Sequence, residues 1–398
     1  MDKHLSIRIK SLSESQTIAM SAKSREMKQN GIDVISLSLG EPDFNTPEFI
    51  KEAAIEAINE DYSHYPPVPG YLELRQVISA KFKRDNNLNY SAEQIVVSTG
   101  AKQSLANVIL SLVNEGDEVI LPTPYWVSYL ELIKLAGGVP VFVPSSIENE
   151  FKIRPEQLKN AITEKSKLMI FSSPCNPSGA VYSQAELEGL KNVIVQHPGF
   201  FVISDEIYEM INFESKHTSL ASFDDIYNQV ITVNGVSKGF AMTGWRVGYI
   251  GAPTWIAKAC TKMQGQFTSA TSGISQKAAQ AGIEADPKQV EHMKITFKKR
   301  RDLMLKLLNE IEGIDCAIPT GAFYLFPDIS FYFGKSYQGR PIQNAGDLCM
   351  FLLEEGRVAL VTGEAFGNPE CVRISYAASD SELIEAVSRI KNTLALLK

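Results

Sequence analysis

The sequence predicts an α/β protein with a large domain on a mostly parallel sheet flanked by helices, and a smaller α+β domain beside it. Three observations predict it. Continuous apolar runs recur through the middle of the chain with helix-length segments between them, as in strands buried on both faces of a parallel sheet. After Asp286-Pro287 the pattern changes to one long amphipathic helix followed by short strands and helices. At 398 residues, the chain is long enough to bury a large core and to divide into two lobes.

Taken in order, the N-terminal segment reads as a helix over 15–29 and a strand over 34–37. Strands then follow over 94–99, 117–121, 139–143, 167–172, 200–204, 230–233 and 247–251. Helices over 102–113, 125–135 and 183–196 alternate with them. The long helix over 288–311 carries Met293, Phe297, Leu303, Met304, Leu307 and Leu308 at helical intervals. Short strands over 323–326, 358–361 and 372–375 and helices over 344–355 and 381–397 complete the chain. The expected division is a large domain over 45–290, with 1–44 packing against 291–398 as the small domain.

Bulk composition excludes several classes. The net charge is -7 and there is no basic block, so nucleic acid is not an expected partner. The five cysteines (Cys175, Cys260, Cys316, Cys349 and Cys371) are scattered, and the five histidines are equally dispersed. Neither set has the spacing of a disulfide framework or a metal site, so no metal is expected. The first residues carry Asp2, Lys3, Arg8 and Lys10 without an apolar stretch, and no run reaches membrane-spanning length. Membrane association is therefore not expected, and the expected location is the cytoplasm.

Chemistry is carried by five features. Lys238 follows the apolar strand at 230–233, between Ser237 and Gly239, with Arg246 downstream. Burial and a nearby cation lower a lysine's proton affinity and make its amine a nucleophile towards an aldehyde; a lysine reaching solvent from a strand end is the alternative. The segment Ser98-Thr99-Gly100-Ala101-Lys102-Gln103-Ser104 joins a strand to a helix with small residues, where free N–H groups could hold a phosphate; an ordinary turn would look similar. Asp205 ends an apolar strand at the crevice edge of the sheet and could pair with a protonated pyridine nitrogen, as pyridoxal chemistry requires, or simply cap a helix. Ser173-Pro174-Cys175-Asn176-Pro177-Ser178-Gly179 forms a rigid loop that either presents Asn176 to an aromatic hydroxylate or only turns the chain. Arg373, inside the strand Val372-Arg373-Ile374-Ser375, needs a buried anion or an exit to solvent.

Together these motifs resemble the class I/II pyridoxal-phosphate aminotransferases of fold type I, and within them the aspartate aminotransferase branch. The resemblance runs from Gly40-Glu41-Pro42-Asp43-Phe44 to Arg373-Ile374-Ser375-Tyr376. It implies pyridoxal 5'-phosphate (PLP) as cofactor, held by Lys238 through an imine. Asp205 would face the ring nitrogen, Asn176 and Tyr208 the ring hydroxylate, and Trp126 the ring face. Gly100, Ala101, Lys102, Ser237 and Arg246 would surround the phosphate. Tyr65 would reach the cofactor of a second subunit, which implies a homodimer with shared active sites. Gly40 and Arg373 would bind the substrate α-carboxylate, with Trp126 and Asn176 beside it. Lys238, with Asp205 and Tyr208, would carry the chemistry.

A lysine at position 102 is associated in this branch with the distal carboxylate of a dicarboxylic substrate; a solvated lysine in the first helical turn is the alternative. With Lys102, the resemblance implies L-aspartate and 2-oxoglutarate as substrates. Prephenate, aromatic or alanine specificity, or a β-lyase of the same fold, are the alternatives. Ser13 falls where prephenate-using relatives can carry a further cation, although Lys10 lies close by. A lid near 11–17 is expected to close over the site. A cofactor-sensing regulator is disfavoured, because no residues remain for a DNA-binding module.

Overall fold

The structure, a computed structural model, describes residues 2–214 and 216–398. A short first strand, β1 (Ile35–Ser36), is followed by the seven strands of the main sheet. These are β2 (Ile95–Ser98), β3 (Glu118–Thr123), β4 (Val139–Pro144), β5 (Ser166–Ser172), β6 (Phe201–Asp205), β7 (Val230–Gly235) and β8 (Gly248–Gly251). Their spatial order is β2-β8-β7-β6-β5-β3-β4. The β3–β4, β3–β5, β5–β6 and β6–β7 pairs are parallel, and only β8 runs against its neighbours β7 and β2.

The sequence explains this order. Every residue of β2, β6, β7 and β8 is buried, which matches their unbroken apolar character and their helical cover on both faces. The strand β4 contains Pro140 and Pro144 and leaves Val139 and Phe142 about half exposed. Proline cannot donate to a ladder, so β4 belongs at the edge, where it lies.

The remaining strands are β9 (Tyr324–Leu325), the hairpin β10 (Ser336–Tyr337) and β11 (Arg340–Pro341), β12 (Val358–Ala359), β13 (Val361–Thr362) and β14 (Val372–Ser375). An antiparallel sheet β13-β14-β9 carries Arg373 on its middle strand. The N-terminal strand joins this part of the molecule: β1 pairs parallel with β12, Ser375 donates its N–H to Leu37 O, and Arg389 pairs with Asp33 at 2.6 Å. Arg300 of the helix Glu291–Leu308 holds Asp43 through both carboxylate oxygens, at 2.7 and 2.9 Å.

Several expected elements shift. The strand expected over 358–361 is two strands: β12 pairs with β1 and β13 with β14, so the chain changes sheets at Leu360. The helix expected from 125 begins at Ser128, because Tyr125 spends its N–H on Phe366 O. The long helix expected from 288 opens with a 3-10 turn, Pro287–Val290. Among the described residues, six α-helices lie outside the sequence reading: Ile7–Lys10, Glu48–Asn59, Leu72–Asn86, Pro155–Ala161, Thr254–Phe267 and Gly273–Glu284.

Candidate active site

The parallel strands end along one edge of the sheet, and the chemistry-bearing residues follow those ends. Gly100 comes after β2, Trp126 after β3, Asn176 after β5, Asp205 closes β6, and Ser237 and Lys238 follow β7. A crevice beyond the carboxyl ends of the strands is where open α/β sheets bind ligands. Gly40, Ala101, Lys102, Trp126, Asn176, Asp205, Tyr208, Ser237, Lys238, Arg246 and Arg373 all line one cavity there. Gly100 stands just behind its wall. Tyr65 is the exception: it is 96% exposed and outside the cavity.

Lys238 points its Nζ at Gly40 O, 2.5 Å away, and lies 5.7 Å from the centre of the Tyr208 ring. Burial lowers its pKa to about 8; Glu41 opposes this, while Arg373 and Arg246 add to it. At pH 7 about a tenth of such amines are neutral, against well under a thousandth at the ordinary value. A buried Asp205 shows the opposite shift. Its carboxyl is pushed up to about 6, chiefly by burial, against hydrogen bonds from Tyr129 Oη at 2.7 Å and Ile207 N at 3.2 Å. Asp205 is thus a carboxylate short of a positive partner at the floor of the cavity.

Arg373 is 1% exposed, and among the described residues it has no carboxylate partner. Its Nη1 donates to Asn176 Oδ1 at 3.0 Å and its Nη2 to Ser38 O at 2.6 Å, while its Nε has no acceptor. The Tyr324 and Phe366 rings lie 4.7 and 5.0 Å from the guanidinium centre. A buried cation with an orphaned donor is costly unless an anion completes it. Lys102 sits 4.9 Å from the Trp126 ring centre, and burial followed by the Arg246 charge holds its pKa below the ordinary lysine range.

The residues fit PLP. For the phosphate, the helix Ala101–Leu112 opens at Gly100, whose φ of +84° suits glycine, and the first N–H groups of a helix lack intrahelical partners. A Cβ on Gly100 would overlap the Arg246 guanidinium, and one on Gly248 would overlap Ala101 N, so both glycines keep this cradle open. For the ring, Asp205 offers a carboxylate to the nitrogen and Trp126 a flat face. Lys238 supplies a partly neutral amine for the aldehyde.

The whole length of the chain speaks for the same family. Residues 32–390 match the model of aminotransferase class I and II. The chain belongs to that family. It is 47% identical, over its full length and 84% of the relative, to a bifunctional aspartate aminotransferase and glutamate/aspartate-prephenate aminotransferase of Petunia hybrida. Among solved structures, the aspartate aminotransferase of Rhizobium meliloti superposes with a TM-score of 0.96 at 40% identity, covering 99% of this chain and 100% of that one. The aspartate aminotransferase of Thermus thermophilus with maleate gives 0.92 at 38%, over 98% and 99%. The fold is that of the fold type I enzymes, and the cofactor is PLP.

Sequence reasoning missed two tyrosines. Tyr129, in the first turn of the helix Ser128–Leu135, donates to Asp205, and its place three residues after Trp126 was the available signal. Tyr324 meets the Tyr208 hydroxyl at 2.7 Å from β9, a contact between distant segments that left no local pattern. The expected lid does approach the site: Ser15, Thr17 and Ile18 line the cavity, and Ser13 N donates to Glu131 Oε2 at 2.8 Å.

Proposed function

We propose that this aminotransferase moves the amino group of L-aspartate to 2-oxoglutarate, giving oxaloacetate and L-glutamate. Among the described residues, four cations without acidic partners line the cavity; Lys238 and Arg246 are assigned to the cofactor, and the reading is carried by the other two, Arg373 buried at one side and Lys102 against Trp126 at another. Two such charges suit a substrate with two carboxylates. The maleate bound by the Thermus relative, also a dicarboxylate, supports the same reading.

Each residue then has a part. Lys238 carries PLP, and once displaced its amine removes the α-proton as general base. When bound, PLP would supply a protonated pyridine ring as the electron sink for this chemistry. Asp205 keeps that ring nitrogen protonated, so its raised affinity for a proton is met by a shared one. Asn176, whose Oδ1 is taken by Arg373, turns its NH2 towards the ring hydroxylate beside Tyr208. Trp126 stacks on the ring. Gly100, Ala101, Lys102, Ser237 and Arg246 hold the phosphate. Arg373 and the Gly40 backbone orient the α-carboxylate, and Lys102 takes the distal one.

The functional unit we propose is a cytoplasmic homodimer. Tyr65 has no role in its own cavity and is almost fully exposed, as expected of a residue lent to a partner. Phe267 is also exposed, on the helix whose Gln264 donates to Val68 O, three residues from Tyr65. The five unpaired cysteines suit a reducing compartment. Segments 1–44 and 291–398 act as a small domain over 45–290, tied together by β1–β12 and Arg389–Asp33. Prephenate as acceptor is a second reading, favoured by the name of the Petunia relative.

Product analysis tests the function. Incubation with L-aspartate and 2-oxoglutarate should yield oxaloacetate and glutamate in equal amounts. A β-lyase would instead release ammonia and pyruvate from a substrate with a leaving group on its β-carbon, such as cysteine, and would form no glutamate from aspartate and 2-oxoglutarate. Replacing 2-oxoglutarate by prephenate, with aspartate as donor, decides the second reading.

A further inference from the structure

We propose that His217 is a positioning residue for Asp205: held against Glu206 as an imidazolium, it neutralises the buried carboxylate next to Asp205 and so keeps the charge of Asp205 available to its ligand. The proposal rests on the assignment of Asp205 to the cofactor's ring nitrogen.

The geometry begins where β6 ends. Alternation sends Asp205 into the cavity and Glu206 to the other side, where it is 0% exposed. Its Oε1 accepts from Ser204 Oγ at 2.8 Å and Ser219 Oγ at 2.7 Å. Its Oε2 meets His217 Nε2 at 3.0 Å. No lysine or arginine pairs with Glu206 among the described residues, so its direct cation can only be His217. The serines solvate the carboxylate but bring no charge.

The nearest charges facing His217 come from two elements, while Arg84, Asp85, Lys216, Lys238, Lys288, Glu291 and Lys294 border the cavity beside it. Glu206 and Glu209 follow β6, and Lys81 comes from the helix Leu72–Asn86. Lys81 pairs with Glu209, and Asn86 bridges the two at 2.8 Å on either side. Tyr90 and Tyr249, which face the two glutamates, are raised well above the tyrosine range by burial and stay neutral. Asp85, 3.8 Å from Lys81, is partly exposed and is paired by Arg84, so the buried groups, two carboxylates and one ammonium, leave a charge of minus one, which an imidazolium cancels. Burial alone would hold His217 neutral, but Glu206 outweighs it and the proton affinity rises above the ordinary value. His217 Nδ1 is buried with no hydrogen-bond partner among the described residues, and the residue borders a second cavity that Glu209 also lines.

The consequence reaches the catalytic cavity through one peptide unit. Glu206 already adds to the burial that drives Asp205 towards its neutral form. Without the imidazolium that repulsion is uncompensated, and Asp205 would ionise only at higher pH. A divalent cation bound among Glu206, Glu209 and His217, whose ligand atoms lie within 4.8 Å of one another, is the competing occupant of this cluster; Lys81 already fills the cationic role beside Glu209.

Two measurements test the proposal. In apoprotein, the His217 ring resonance, assigned by its loss in His217→Asn, should titrate above pH 6.5, and in Glu206→Gln it should move down by at least one pH unit. This readout does not depend on what Asp205 binds, so its failure is separable from failure of the functional reading. In PLP-loaded enzyme, His217→Asn should move the acid limb of the kcat/KM profile up by about one pH unit, a ten-fold loss on that limb. Glu206→Gln combined with His217→Asn should restore it, which a merely structural defect would not allow. A wild-type ring that titrates below pH 6.5, an acid limb that stays put, or stoichiometric Zn2+ uptake that depends on His217 would each overturn the proposal.

Discussion

Lys238 and Asp205 occupy one cavity with opposite pKa shifts that share a cause. Burial disfavours charge, so the lysine is pushed down to about 8 and the aspartate up to about 6. Lys238→Ala should lower turnover by about ten-thousand-fold, the full scale of acid–base catalysis, in a steady-state assay with protein that still folds. Activity within ten-fold of wild type would remove Lys238 from the mechanism. For Asp205 the linkage has an unusual sign. The folded apoprotein binds this proton more tightly than the unfolded chain does. Its contribution to stability is therefore present below pH 3.8 and is lost as pH rises through about 6. A ligand proton opposite Asp205 offsets that loss, so the Tm difference between PLP-loaded and apoprotein should widen from pH 5 to pH 7. In Asp205→Asn that widening should shrink; an identical widening would assign it to other groups. At the substrate end, Lys102→Ala should weaken aspartate by at least ten-fold more than alanine in kcat/KM, about 1.4 kcal/mol of discrimination. Equal losses would return Lys102 to the solvated first turn of its helix.

Elements explain why these residues meet. Parallel strands deliver their ends to one edge, and Asn176, Asp205 and Lys238 need only follow their own strands to converge. The proposed phosphate cradle needs two glycines as well as its side chains, because a Cβ on Gly100 would meet Arg246 and one on Gly248 would meet Ala101 N. Gly100→Ala adds a Cβ at a φ of +84°, a strain of about 1–3 kcal/mol, and drives it into Arg246. PLP affinity measured by equilibrium dialysis should fall by at least ten-fold, whereas unchanged affinity would place the phosphate elsewhere. The strands were legible because unbroken runs such as Ile95-Val96-Val97 can only be buried on both sides. The unread helices show the limit of that signal. Glu48–Asn59 and Gly273–Glu284 pack face to face through small residues: Ala54, Ala57, Ala278 and Ala279 are buried, and Gly282 lies close against Ile50. Close approach replaces the bulky apolar stripe that marks a helix in sequence.

Across the whole molecule, the site exists because two distant parts of the chain close on one sheet. Ser38 and Gly40 come from the N-terminal segment and Arg373 from β14, and they meet Lys238 and Asn176 from the main sheet. Local patterns marked each residue separately, while the contacts among them, and those of Tyr129 and Tyr324, exist only once the chain has folded. What sequence marks least is what the proposed second subunit would supply. Tyr65 should matter only in the dimer: light scattering should give twice the mass of one chain, and Tyr65→Phe should weaken PLP without changing that mass. A monomer with full activity would rule out shared sites. The most direct test of the central claim is a single half-reaction. PLP-loaded enzyme mixed with L-aspartate alone should release one oxaloacetate per subunit, keep the amino group on the protein and liberate no ammonia. Ammonia release, or no oxaloacetate at saturating aspartate, would contradict it.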